Sequence, residues 1–386
     1  MKPPEAAPKK TLRTFALASF LNDLGSDIIY PVWPLFVTTV LRANMAALGF
    51  LDGLGEALVS LSQAVSGYYS DKLRRRKVFI WAGYLCGGIS RLGYAISTAW
   101  PHLVPFKILD RAGKIRSAPR DAMVADLSTD ETRGRNFGLL RTMDNMGAVF
   151  GIIASILILN LVGIRILFAL AAVPSLLGAI LIFASISEKR DGGRKIFKGM
   201  AWRDLGGNLR LYVLSNAVFA LGAFSYSFLL VFAKQAGFKA GALPVLYLVF
   251  TATAMVFSLP FGKLSDRLGR KPVLFVSLGL WAAVCAGFIF GQGRLPVLII
   301  LFVLYGMHKA ALEPVQRTLV TEICPVCFRA SALGAFQMII GLCAFPASFL
   351  AGLLWEKFGA AVPFAVSLVL TAAAATALVF VKEKNI

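Results

Sequence analysis

Residues 67–77 read GYYSDKLRRRK, and residues 262–271 read GKLSDRLGRK. The two stretches align at an offset of 195 positions, which places Asp71 opposite Asp266. Each stretch begins with a glycine, is rich in Lys and Arg, and lies between long apolar segments. A chain of 386 residues that repeats such a loop at half its length is predicted to contain two copies of one unit.

The composition indicates a protein that resides in a lipid bilayer. Hydrophobic residues make up 58% of the chain and charged residues 16%, and the mean hydropathy is +0.73. Soluble domains have about 45–50% apolar and about 25% charged residues. The net charge of +20 would indicate nucleic acid in a soluble protein, but membrane proteins collect Lys and Arg in cytoplasmic loops. We therefore expect the lipid bilayer as a partner, and no nucleic acid.

Twelve apolar stretches are long enough to cross a hydrocarbon core, which takes roughly 20 residues. With a cytoplasmic N-terminus, the inner segments carry 25 Lys and Arg residues and the outer loops carry 6. This excess predicts that both termini are cytoplasmic. We also expect the protein to lie in the cytoplasmic (inner) membrane. The predicted spans are residues 14–39, 47–70, 78–98, 102–124, 136–158, 164–186, 209–233, 242–264, 273–291, 296–318, 330–353 and 359–381.

The predicted fold class is an all-α membrane protein, with 12 transmembrane helices in two pseudo-symmetric six-helix bundles. A polar, Gly-rich stretch after the sixth span marks the boundary between the bundles. We expect a monomer. The predicted parts are a cytoplasmic tail at 1–13, an N-terminal bundle at 14–186, a linker at 187–208, a C-terminal bundle at 209–381 and a second tail at 382–386.

A second repeated pattern follows the fourth span of each half. Asp126 and Arg133 recur as Glu322 and Arg329 at an offset of 196 positions. This pattern and the basic loop resemble those of the major facilitator superfamily of secondary transporters, along essentially the whole chain. The resemblance implies two parallel halves that hold a small-molecule substrate near the midplane between them. It implies a transporter and not an enzyme, with no cofactor.

The repeated loops are predicted to act as conformational latches on the cytoplasmic side. A glycine there permits close approach of a neighbouring helix, and an aspartate accepts hydrogen bonds from a helix N-terminus and pairs with an arginine. The alternative is that the loops serve only as topology signals. The predicted latch residues are Gly67, Asp71, Arg75, Gly262, Asp266 and Arg270.

The spans of the N-terminal half contain as many acids as bases. Because the numbers match, most of these groups are predicted to pair with one another, and the bases alone do not establish an anionic substrate. The seven acids are Asp23, Asp27, Asp52, Glu56, Asp110, Asp121 and Asp144, and the seven bases are Arg91, Lys107, Arg111, Lys114, Arg116, Arg120 and Arg141.

Some of these groups are candidates for proton coupling. Asp23 and Asp27 lie one helical turn apart, so they line one face of the first span. A buried carboxylate that binds and releases a proton is one interpretation, and a static ion pair with Arg91 or Arg111 is the alternative. The resemblance implies a coupling role for Lys107, twelve residues before Pro119. The candidates are Asp23, Asp27, Glu56, Lys107 and Arg111.

The C-terminal half carries fewer charges and more aromatic residues. Its Phe residues suit an apolar or amphipathic ligand, although a Phe stripe in a helix bundle is more often packing. They are Phe219, Phe224, Phe228, Phe232, Phe336 and Phe345. The substrate-cavity candidates of the whole chain are Tyr30, Asp52, Arg91, Lys114, Arg141, Asp144, Asn216, Tyr226, His308, Lys309, Glu313 and Gln337.

These patterns favour a secondary transporter that exports a small amphipathic compound in exchange for protons. Gly138, Gly147 and Gly151 resemble the start of the superfamily's antiporter motif, but Ile152 replaces its proline, and ordinary helix packing explains the glycines equally well. A carrier of a small anion is the alternative. A non-transporting scaffold or sensor is disfavoured because it would have little reason to retain buried charges.

A carrier of a metal ion is the other form of the alternative, with Asp23, Asp27 and His308 as ligands. Cys324 and Cys327 form a single CxxC, which is weak evidence for a zinc site. A histidine within a span is also more often a hydrogen-bonded structural group than a ligand. The sequence therefore assigns no metal site.

Overall fold

The computed structural model describes residues 6–73, 75–128, 130–186, 206–291, 294–324 and 329–383. Within these ranges the chain is helical and contains no strand. The helices are α1 (Ala6–Ile29), α2 (Trp33–Leu35), α3 (Met45–Leu73), α4 (Arg76–Ile96), α5 (Trp100–Ala112), α6 (Ser117–Asp126), α7 (Asp130–Ser185), α8 (Gly207–Gly222), α9 (Tyr226–Gln235), α10 (Leu243–Leu268), α11 (Arg270–Phe290), α12 (Leu295–Ile323), α13 (Arg329–Phe358) and α14 (Ala361–Val379).

All twelve predicted spans coincide with helical segments. Eight segments in the described part are long and apolar enough to cross a membrane, and one of them, Leu139–Ser185, contains two predicted spans. The first, third and fourth predicted spans fall outside this set because charged side chains lower their hydropathy. The side of the membrane on which each terminus lies remains a prediction.

Three of the spans are interrupted. In the first span, α1 ends at Ile29 because Pro31 has no N–H group and disfavours a helical residue before it. The fourth span changes from α5 to α6 through a 3-10 turn, Gly113–Arg116. The seventh span is divided into α8 and α9, and the Ser225 hydroxyl caps the start of α9. Between the fifth and sixth spans, α7 is broken at Gly163, whose φ of 75° favours glycine.

The chain forms two compact units. The first unit comprises Met1–Arg42 and Leu58–Phe197, and the second comprises Ala43–Ala57 and Lys198–Ile386. In the first unit, α1 and α4 pack on α7, and α4 also packs on α5 and α6. In the second unit, α10 and α11 pack on α12, and α8 packs on α13 and α14. The first part of α3 therefore packs with the second unit, and most of the predicted linker lies outside the described residues.

Glycines allow α1 and α7 to approach closely. A Cβ atom at Gly147 would lie 2.4 Å from the carbonyl oxygen of Phe20, and one at Gly151 would lie 2.4 Å from that of Leu24. These two glycines belong to the partial antiporter motif, and in the structure they serve helix packing. Among small residues, only glycine leaves enough room for backbones this close.

We predict that Gly151→Ala lowers the thermal unfolding midpoint of the purified protein, because the added methyl group overlaps the α1 backbone. Overpacking of this kind costs about 1–3 kcal/mol. Gly279→Ala is the matched control, since a Cβ atom there meets nothing within 4 Å. Equal midpoints for the two variants would contradict the close packing of α1 on α7.

Candidate functional site

Arg91 joins three helices of the first unit through neutral oxygens. Its side chain is 2% exposed. Its Nη2 donates to the Ser26 hydroxyl at 2.7 Å and to the Asn22 carbonyl at 3.2 Å, and its Nη1 donates to the Ala171 carbonyl at 3.3 Å. Arg91 was a predicted cavity residue and a possible partner of Asp23, but these hydrogen bonds use it to tie α4 to α1 and α7.

Asp144 on α7 is the centre of a charged cluster. Its carboxylate lies 3.8 Å from Arg120 and 3.7 Å from Arg141. The negative charge of Asp23 on α1 also acts on Asp144. The buried Oδ1 atom of Asp144 has no hydrogen-bond partner among the described residues. The structure thus relates Asp23, a predicted coupling candidate, to Asp144 and Arg141, which were predicted cavity residues.

Arg120 links this cluster to α1, and the sequence reading assigned it no site role. Its Nη1 donates to the Ser19 hydroxyl at 2.6 Å, and its Nε donates to Asp121 at 3.0 Å. Ser19 also shares a hydrogen bond of 3.2 Å with the Tyr84 hydroxyl. The sequence did place Arg120 within the fourth span. Because it placed six other bases within spans as well, this position alone did not single out Arg120.

The two candidate carboxylates of α1 have different surroundings. Asp23 is half-buried and accepts a hydrogen bond of 2.9 Å from the Asn22 side-chain amide. Asp27 is 9% exposed and faces α7, where a Cβ atom at Gly151 would lie 3.1 Å from the Asp27 Cβ. Asp27 therefore lies against a packed helix, whereas Asp23 is partly exposed.

Two bases of α5 contact the aromatic residues that follow α1. The Lys107 ammonium lies 3.9 Å from the centroid of the Trp33 ring, which is a cation–π contact. Arg111 donates to the Tyr30 hydroxyl at 3.3 Å and lies 3.5 Å from Asp110. These contacts hold the fourth span against the interruption in the first span.

Asp52 and Glu56 lie in the second unit, although both were counted with the N-terminal half. The Ser225 hydroxyl donates to Asp52 at 2.7 Å, and the charge of Glu56, an exposed residue, acts on Lys309. The predicted balance of seven acids and seven bases therefore does not hold within the first unit, where five acids face seven bases.

His308 and Asn216 occupy packed, hydrogen-bonded positions. His308 is 2% exposed, and its Nδ1 lies 2.9 Å from both the hydroxyl and the carbonyl oxygen of Ser277. The Asn216 side chain donates to the Tyr212 carbonyl at 2.8 Å and accepts from Gln316 at 2.6 Å. This is the geometry of structural polar groups in a helix bundle.

Most of the predicted phenylalanine wall is packing. Phe219, Phe224, Phe228 and Phe336 are buried in the core of the second unit. A different aromatic cluster, which the sequence reading did not identify, lies beside Lys309.

In this second cluster, the Tyr226 and Tyr247 ring centroids are 5.2 Å apart, and the Phe250 and Tyr305 centroids are 5.2 Å apart. The Tyr247 and Phe250 centroids, 4.8 Å apart, join the two pairs. The Lys309 ammonium lies 5.9 Å from the centroid of the Tyr305 ring.

The remaining cavity candidates of the second unit are more accessible. Glu313 is exposed, and Gln337 is half-buried. Within the described residues, no group of three or more His, Cys, Asp or Glu side chains is arranged to hold a metal ion. Cys327 lies outside these residues.

Arg270 organises the predicted cytoplasmic end of the second unit. Its guanidinium contacts Asp266 at 2.5 Å and Glu322 at 2.8 Å, and it donates to the Ser265 hydroxyl at 2.7 Å. The Glu383 carboxylate accepts hydrogen bonds from the backbone N–H groups of Arg270 and Lys271 at the start of α11. Gly262, where a close helix approach was expected, has open space within 4 Å.

The first unit has a smaller version of this arrangement. Arg76 donates to Asp126 at 2.6 Å, as Arg270 does to Glu322. The sequence alignment had matched Arg75 with Arg270, but Arg75 is exposed at the position that precedes α4. The surroundings of Gly67 and the side chain of Asp71 lie outside what the structure describes.

Known proteins of one family match this chain along nearly its whole length. The family model of the Major Facilitator Superfamily matches residues 15–255 and 212–385. An uncharacterized MFS-type transporter of Methanocaldococcus jannaschii is 35% identical over 359 residues, covering 90% of this chain and 89% of that protein. The multi-drug resistance efflux pump PmrA of Streptococcus pneumoniae is 26% identical, covering 82% of each chain.

Among solved structures, a point mutant of the nucleoside transporter NupG superposes with a TM-score of 0.82. The alignment covers 97% of this chain and 100% of that chain, at 13% sequence identity. Similarity at this level of identity concerns the fold alone.

We predict that Arg270→Gln destabilises the purified protein by about 1–2 kcal/mol, because Glu322 and Asp266 lose a charge-assisted donor. Thermal unfolding in detergent measures the effect. Arg267→Gln, three residues earlier and exposed, is the matched control and should leave the midpoint unchanged. A larger effect from the control would show that the Arg270 cluster does not stabilise this end of the unit.

Proposed function

The chain belongs to the Major Facilitator Superfamily, and from this premise we propose that it exports a small amphipathic organic compound in exchange for protons, by alternating access. In this proposal it acts as a monomer in the cytoplasmic membrane, with both termini on the cytoplasmic side.

The observation that carries the proposal is the cluster of Asp23, Asp144, Arg120 and Arg141 within predicted spans. Ionisable groups within spans are costly, and in transporters they mark the paths of protons and substrates. Asp144 Oδ1 accepts no hydrogen bond from the described residues and lies 3.8 Å from Arg120 Nη1, so this oxygen can take up a proton. Asp144 therefore joins Asp23, Asp27, Glu56, Lys107 and Arg111 as a coupling candidate.

In the proposed coupling, a proton competes with Arg120 and Arg141 for the Asp144 carboxylate. When Asp144 is ionised, both arginines are drawn to it, and Arg120 holds α1 through Ser19. A proton on Asp144 weakens both attractions and frees the arginines to rearrange. Proton binding thereby favours one conformation of the unit over another, and by linkage that conformation also sets the affinity for substrate.

Export as the direction is supported by the relative PmrA, whose name describes a multi-drug resistance efflux pump. The partial antiporter motif adds little, because Gly147 and Gly151 have a packing role. An amphipathic substrate is supported by the half-buried Tyr226, which belongs to the aromatic cluster beside Lys309; Tyr247 and Tyr305 of that cluster are buried.

The carrier of a small anion is the second candidate function. It is favoured by the excess of bases in the first unit, where five acids face seven bases. The metal-ion carrier has no such support, because the described residues contain no suitable ligand cluster.

We predict that the wild-type protein in proteoliposomes moves protons only when a transported compound is added. The assay imposes a pH gradient, encloses a pH-sensitive dye and supplies a panel of amphipathic compounds one at a time. A panel that contains a transported compound yet produces no proton flux would refute coupling to protons.

We predict that Asp27→Asn, Glu56→Gln and Asp144→Asn each abolish this coupling while leaving substrate exchange, because the amide cannot take up a proton. Asp121→Asn is the control, since Asp121 is 49% exposed and outside the candidate set. If all three variants still drive transport against the gradient, the proton sites lie elsewhere.

A further inference from the structure

Lys114 differs from the six other span bases of the first unit that were weighed against the acids. Six of the seven bases have a hydrogen bond, an ion pair or a ring contact with a described residue. The Lys114 side chain has none within the part of the chain that the structure describes, although the residue is half-buried. The six are Arg91, Lys107, Arg111, Arg116, Arg120 and Arg141.

The 3-10 turn fixes the position of Lys114. A Cβ atom at Gly83 would lie 2.4 Å from the Gly113 carbonyl oxygen, so the turn is pressed directly against α4. Arg116, in the same turn, folds back: its Nη1 donates to the Gly113 carbonyl at 3.0 Å, and its guanidinium lies 5.0 Å from the Tyr84 ring centroid. The protein therefore engages the Arg116 guanidinium through a hydrogen bond and a ring contact, whereas the Lys114 ammonium has no such contact with the described residues.

The charges around Lys114 are out of balance. The groups that act on its ammonium are Arg116, Asp23, Arg111 and Asp110. Together with Lys114 they make three cations and two carboxylates. Both carboxylates already have partners, because Asp23 accepts from the neighbouring amide and Asp110 lies 3.5 Å from Arg111. Among these five groups, cations therefore outnumber carboxylates by one.

An uncompensated ammonium within a membrane span is costly, and such groups are retained where a ligand or pathway uses them. We propose that Lys114 binds the anionic group of the transported compound, so that the substrate is an amphipathic organic anion with a carboxylate or sulfonate group. The inference rests on the proposed function, since it defines the substrate class of that transporter. The anion supplies the charge that the surrounding residues lack, and the ammonium offers it three donors.

The test is direct binding to the purified full chain. The probes are aryl and alkyl carboxylates and sulfonates, each paired with its neutral amide or sulfonamide, and the readout is the shift in unfolding temperature with concentration. We expect at least one anion to stabilise the wild-type protein more than its neutral partner does. We expect Lys114→Met to lower the affinity for that anion about tenfold or more, and Lys114→Arg to retain most of the affinity.

A structural role for Lys114 predicts different results. If Lys114 served only folding, Lys114→Met would unfold at a lower temperature without any anion, whereas an uncompensated charge predicts an equal or higher unfolding temperature. Lys234→Met, a matched change on α9, should leave anion binding as in the wild type. Equal stabilisation by anions and their neutral partners, or unchanged anion binding in Lys114→Met, would overturn the proposal.

The proton-flux assay separates this inference from the proposed function. If a neutral or cationic compound drives proton flux and no anion binds, coupled transport stands and the role of Lys114 is wrong. If anions bind through Lys114 and move without protons, the anion site stands and proton coupling is wrong.

Discussion

A charged side chain inside the hydrocarbon region is costly unless it has a partner, and the arrangement of the first unit reflects this requirement. Arg91 meets it with carbonyl and hydroxyl oxygens of α1 and α7, whereas Arg120 and Arg141 meet it with Asp144. The partners of Arg91 and Arg120 lie on other helices, so the contacts that satisfy these two groups also join α1, α4, α6 and α7, whereas Arg141 pairs with Asp144 within α7. Satisfying the charges and packing the unit are therefore one problem, which explains why the sequence tolerates so many ionisable groups in these spans.

The architecture was predictable because hydropathy and helix length are properties of local sequence. All twelve spans could be placed, and so could the repeat that relates the two halves. The 3-10 turn in the fourth span was not predicted, because it depends on the contact of Gly113 with Gly83 on another helix. Local propensity carries no information about that contact.

The candidate site was predicted less well, because pairing depends on which helix faces which. The sequence assigned Asp52 to the N-terminal half by its position in the chain, but Gly49 and Gly53 let this part of α3 approach Ser348 and Phe345 in the second unit. The repeated acid before the fifth and eleventh spans did carry a signal. The partner of this acid is the first residue of α4 in the first unit, Arg76, and the first residue of α11 in the second unit, Arg270. The sequence repeat instead aligned Arg270 with Arg75, one position too early.

The carboxylate that caps α11 has a consequence for how the protein is made. Glu383 is 113 residues beyond Arg270, whose backbone N–H group it binds. At ribosomal speeds of about 5–20 residues per second, on the order of ten seconds pass between the synthesis of the two residues. During that interval the first turn of α11 has already been made but lacks its cap, so the second unit acquires its final stability late, after α12, α13 and α14 have been synthesised.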